Sequence, residues 1–141
     1  MGDTKSIGIA YRDQDIEGAA SLSAASIQSS SVLGYTAAAQ GTVTQATSKS
    51  TAVTLNKSAG QITMNNAALG ATTNVTFTLN NSLISTNDIV ILNIAAGATA
   101  GSYNCWVSGL GAGTVSITVR NISGGSLSEA VVINFALVHC A

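Results

Sequence analysis

The stretch Thr114-Val115-Ser116-Ile117-Thr118-Val119-Arg120-Asn121 sets the narrowest limit on what this chain can fold into. Its β-branched apolar residues alternate with small polar ones, so one face of an extended strand enters a core while the other meets water. The same alternation recurs at Asn74-Val75-Thr76-Phe77-Thr78-Leu79-Asn80 and at Thr51-Ala52-Val53-Thr54-Leu55-Asn56. Repeated half-buried strands with turn residues between them predict an all-β sandwich or barrel.

The chain divides in two on this pattern. Residues 41–141 carry the strands, and about a hundred residues suffice for one sandwich core. Residues 1–40 read as an N-terminal extended arm. Asp3, Lys5, Arg12, Asp13, Asp15 and Glu17 crowd into the first 17 residues, with Ile7, Ile9, Tyr11 and Ile16 among them, as in a segment that pairs as an extended strand. Residues 18–40 hold no charge, and the second half of the arm is rich in Ala and Ser. A flexible leader is one reading of it. The preferred one is an arm ordered against a neighbouring subunit, because small side chains lose little entropy on docking.

Charge is the feature of composition that matters. Five Lys and Arg and six Asp and Glu make up 8% of 141 residues, with net charge −1, where a soluble domain has roughly a quarter. A nucleic-acid partner would need clustered Lys and Arg, so none is expected. The polar surface must consist of Ser, Thr and Asn. Either this is a quiet extracellular or viral β protein, or much of its surface is covered by copies of itself or by a partner. No secretory signal and no run of membrane-spanning length is legible, so no membrane partner is expected. Met1-Gly2 with Ser6 fits the myristoylation pattern only by chance.

From Gly41 the expected strands are residues 41–47, 50–56, 61–65, 74–80, 88–94, 102–107, 114–121 and 129–138, with one helical turn at 82–87. Asp88-Ile89-Val90-Ile91-Leu92-Asn93-Ile94 is almost continuously apolar, which predicts a central strand buried on both faces or a strand at an interface. Together these make a two-sheet antiparallel jelly-roll-like sandwich of about eight strands.

No catalytic, cofactor-binding or metal-ligating residues are assigned, and no cofactor is expected. His139 and Cys140 are adjacent on a strand and point to opposite faces, which argues against a dyad. Asp88 and Glu129 could act as acid and base only if folding joined them; strand-end capping, or pairing with Lys57 or Arg120, is the expected role. Cys105 and Cys140 lack metal or redox spacing and read as buried free thiols, with a disulfide open if their strands adjoin. Gly109-Leu110-Gly111-Ala112-Gly113 lacks the lysine of a phosphate loop. Asn74-Val75-Thr76 and Asn121-Ile122-Ser123 match the glycosylation sequon, which matters only in a secretory setting. Trp106 is expected to fill the core; an exposed sugar-stacking platform is the alternative.

Two stretches resemble a known family. Gly41-Thr42-Val43-Thr44-Gln45-Ala46-Thr47-Ser48-Lys49-Ser50-Thr51, running on through Val53-Thr54-Leu55-Asn56, is one, and Gly124-Gly125-Ser126-Leu127-Ser128-Glu129-Ala130-Val131-Val132-Ile133-Asn134-Phe135 is the other. Together they resemble the jelly-roll cement or decoration proteins on the capsids of tailed bacteriophages, over roughly residues 41–138. The resemblance implies a non-enzymatic virion protein on the outer surface of the capsid. Its partners would be the major capsid protein and itself, as a homodimer or, second, a trimer. It carries no functional residue over, because that role rests on surfaces. The rival expectation is a receptor- or carbohydrate-binding module of a tail fibre or adhesin.

Overall fold

A computed structural model describes Ser26 and residues 29–140. The strand expected in the charged segment 1–17, and residues 18–25, 27 and 28 of the uncharged part of the arm, lie outside the described residues. The body begins at Gly34. Eight strands follow a 3-10 turn at Ala37–Ala39: β1 Gln40–Thr44, β2 Val53–Thr54, β3 Ala59–Thr63, β4 Asn74–Asn80, β5 Ile89–Ala96, β6 Tyr103–Gly111, β7 Thr114–Asn121 and β8 Val132–Val138. Each answers to one of the eight expected segments, and β4 and β7 have the expected limits. Residues 82–87 form turns without helix.

The strands make two four-stranded sheets, β1-β3-β8-β5 (sheet A) and β2-β4-β7-β6 (sheet B). The expectation of a purely antiparallel sandwich needs correction. β1 pairs parallel with β3, and β2 parallel with β4, while all other pairs are antiparallel. The cause is the path of the chain. From β1 to β4 it alternates between the sheets, so neighbours in one sheet are two crossings apart and run in the same direction.

The core lies between the sheets, and the alternation seen in the sequence fills it in cross-strand rows. On sheet A, Val43, Ile62, Ile133 and Ile94 stand in register. On sheet B, Phe77, Ile117 and Val107 form one row, and Leu79, Val115 and Leu110 another. Ile62, Ile117, Ile133 and Leu137 are fully buried, and Met64, Ile84 and Val131 close the ends. Two glycines are required. A Cβ at Gly60 would come within 2.4 Å of the Gly41 carbonyl, where Leu55 and Phe135 pack over the backbone. At Gly97, φ is +69° and a Cβ would lie 2.3 Å from the Ala130 carbonyl oxygen, so the turn after β5 admits no side chain.

Two placements depart from expectation. β5 is not central but the edge of sheet A, and its outward Ile89 and Ile91 are each 55% exposed. Its apolar run therefore reflects one face in the core and another left bare. Trp106 is not in the core. It shares the outer face of sheet B with Asn104 and Ser108 and is 39% exposed, while Tyr103, Cys105 and Val107 take the inner face.

Candidate interaction surfaces

The carboxylates come first, because they are where chemistry would be sought. Asp88, just before β5, is buried. It accepts hydrogen bonds from the Ser85 amide (2.8 Å), the Ser85 hydroxyl (2.8 Å), His139 Nδ1 (2.9 Å) and the Cys140 amide (3.2 Å). The Ser85 amide, with these other donors, holds its carboxyl down at about 2 against the cost of burial. The expected partners Lys57 and Arg120 are elsewhere: Lys57 Nζ donates to the Ala38 carbonyl at 2.9 Å, and Arg120 is exposed on sheet B. Ser85 Oγ donates to the carboxylate and not to the imidazole. That geometry fastens the loop before β5 to the end of β8; it does not activate a nucleophile.

Glu129 sits at the other end of β8. Thr99 donates to Glu129 Oε1 through its hydroxyl and its amide, and these two bonds lower the carboxyl's pKa. Lys49, 4% exposed, donates through Nζ to the main-chain carbonyls of Asn65 (2.7 Å) and Glu129. Burial lowers the ammonium's pKa, and the Glu129 charge works against that fall. The buried Tyr103 hydroxyl and Glu129 Oε2 make no hydrogen bond of ordinary geometry; burial chiefly, then Glu129, pushes the phenol up to about 12. The sequence reading missed Lys49 altogether, since nothing in Thr47-Ser48-Lys49 marks a buried ammonium. Asp88 and Glu129 thus stand at opposite ends of the β5–β8 pair and are not brought together. Among the described residues, no group of three or more His, Cys, Asp or Glu is placed to hold a metal.

Cys105 and Cys140 are free and half-buried, and burial raises the Cys105 thiol's pKa. Of the two sequons, Asn74 is exposed, whereas the Asn121 amide is buried and donates to the Leu69 and Gly125 carbonyls. No helix among the described residues is long and apolar enough to cross a membrane.

The outer faces are what remain. On sheet A, one row reads Gln40, Ala59, Ala136, Ile91 and the next Thr42, Gln61, Asn134, Asn93. They line a shallow trough of about 560 Å³ floored by small residues, without a charge in its lining. Asn134 Oδ1 is buried there with no hydrogen-bond partner. On sheet B the corresponding rows are Asn74, Arg120, Asn104 and Thr76, Thr118, Trp106. There the hydroxyls satisfy one another: Thr76 and Thr118 Oγ1 are 2.7 Å apart, and Thr118 donates to Ser108 Oγ at 2.8 Å.

Across residues 34–140 the charged side chains are Lys49, Lys57, Asp88, Arg120 and Glu129. Lys49 and Asp88 are buried, Lys57 and Glu129 half-buried, and Arg120 alone is exposed. No family model matches the chain, and the comparisons with curated proteins and with solved structures found no match.

Proposed function

We propose that this chain is a non-enzymatic structural protein of a virion: a capsid cement or decoration protein with a jelly-roll-like body. It binds the outside of the major capsid protein lattice as a homo-oligomer and stabilises the head against internal pressure. One observation carries the reading, the almost uncharged exterior of the body, on which Arg120 is the exposed charge among the described residues. A freely diffusing domain gains colloidal stability from surface charge. A surface of Ser, Thr, Asn, Ala and Ile suits a protein that spends its life covered by a lattice and by its own copies. Many weak contacts repeated over a lattice sum to durable attachment.

Cosedimentation with capsids of the encoding virus, stripped of minor proteins, tests this. Saturable binding at a lattice-related copy number supports it. A few copies per virion, or none, ends it. A second reading, a carbohydrate- or receptor-binding module, is favoured by the exposure of Trp106 beside Thr76, Thr118 and Asn104, since an open indole stacks on a sugar ring. On that reading Trp106→Ala loses glycan binding with the fold intact; on the cement reading glycan binding is absent from the start.

A further inference from the structure

Among the described residues the sandwich has four sheet edges, β1, β2, β5 and β6, and they are not equally protected. β2 is two residues long. β1 has five residues and turns Gln40, Thr42 and Thr44 to solvent. β6 is the longest, but its register shifts between Val107 and Gly109, and Trp106 stands on its outer side. β5 has no such guard. Its eight residues, Ile-Val-Ile-Leu-Asn-Ile-Ala-Ala, include no charge and no proline, and its register shift is confined to Ile94–Ala96 at the far end. Edge strands that stay unpaired usually carry a lysine, a proline or a central bulge. Ile89 and Ile91 are each 55% exposed, and Val138, opposite Ile89, is 44% exposed, so an apolar corner adjoins the open backbone.

We propose that the β5 edge is the seam of a two-fold homodimer, in which β5 pairs antiparallel with β5 of a second copy. The proposal deepens the cement reading, on whose homo-oligomer it rests, by assigning the self-association surface. A row of free N–H and C=O groups is satisfied in series only by another extended strand. Charge selects which strand. A charged one would bury unpaired charge beside Ile89 and Ile91, and the carboxylate at the head of β5, Asp88, is turned inward onto Ser85 and His139. A second β5 brings no charge and the same apolar corner. Two-fold symmetry makes each edge donor and acceptor to the other. The joined sheet then runs β1-β3-β8-β5-β5-β8-β3-β1.

The full-length chain tests this without any capsid. Light scattering should report a dimer, and amide hydrogen exchange should show protection of β5 that grows with protein concentration. Ile91→Lys, at a side chain already in solvent, should keep the melting curve at dilutions where both proteins are monomeric and weaken dimerisation by about a hundredfold or more. Thr42→Lys on the β1 edge should change nothing. A monomer at every soluble concentration overturns the seam, as does a dimer without β5 protection or one indifferent to Ile91→Lys. The cement reading fails separately: a β5 dimer that does not bind capsids ends that reading and leaves the seam standing, while monomers on the lattice do the reverse.

Discussion

The two outer faces of this sandwich are built from similar residues and end in opposite states. On sheet B the polar side chains meet each other's needs, through Thr76, Thr118, Ser108 and the Ser116 carbonyl. On sheet A, Asn134 has Asn93 opposite it on one side and Gln61 on the other, yet its buried Oδ1 goes unpaired, and Ile89, Ile91 and Val138 stand open nearby. A polar group buried without a partner is costly in an isolated chain. A hydroxyl rotates to find a neighbour, whereas the Asn134 oxygen finds none in Asn93 or Gln61. Sheet B satisfies its outer polar groups within itself, whereas sheet A leaves the Asn134 oxygen without a partner among the described residues.

The inner faces should show no such asymmetry, which separates packing from surface effects. Ile133→Ala beneath sheet A and Ile117→Ala beneath sheet B each delete a fully buried side chain. Each should cost about 2–5 kcal/mol in denaturant unfolding. A loss confined to one of them would mean that the sheets do not share a single core.

Next in size is a pH effect at the edge of sheet A. The Asp88 carboxyl titrates at about 2 in the folded chain against an ordinary 3.8. A carboxyl depressed by folding stabilises the fold fully above its ordinary value. That contribution is lost as pH falls from about 4 through about 2, when protonation breaks the bonds from Ser85, His139 and Cys140. The melting temperature should therefore fall over that window, and Asp88→Asn should flatten this part of the profile and lower the plateau above it. An unchanged profile would detach Asp88 from the stability of β5.

How far this was readable in the sequence follows the same division. Strict alternation, as in Asn74–Asn80 and Thr114–Asn121, fixed strand limits and inner faces, because a period of two has one reading on a half-buried sheet. Asp88–Ile94 left a central strand and a strand at an interface both open, since an apolar run looks the same whether its second face is buried in the chain or bare at an edge; the edge position of β5 excludes only the first. Trp106 did mislead: the scarcity of aromatic residues argued against an exposed platform and so for the core, but its parity with Asn104 and Ser108 was the better guide. Parallel pairing of β1 with β3 depends on the path between sheets, which no local pattern encodes. The Lys49 and Asp88 clamps join residues 80 and 51 positions apart, beyond the reach of spacing.

The smallest effects bear most directly on the two faces. Thr118→Val on sheet B keeps the shape and removes the hydroxyl that links Thr76 to Ser108. It should cost about 1 kcal/mol. Asn134→Val on sheet A should cost nothing, or stabilise the isolated chain slightly, because it removes an oxygen that has no partner and puts a β-branched residue on a strand. If chemical denaturation instead shows Asn134→Val as costly as Thr118→Val, the Asn134 amide is satisfied within the single chain. The outer face of sheet A would then need no cover. If the variant is neutral alone but weakens association, the unpaired oxygen is a contact held ready for a partner, and the asymmetry of the two faces has its explanation in assembly.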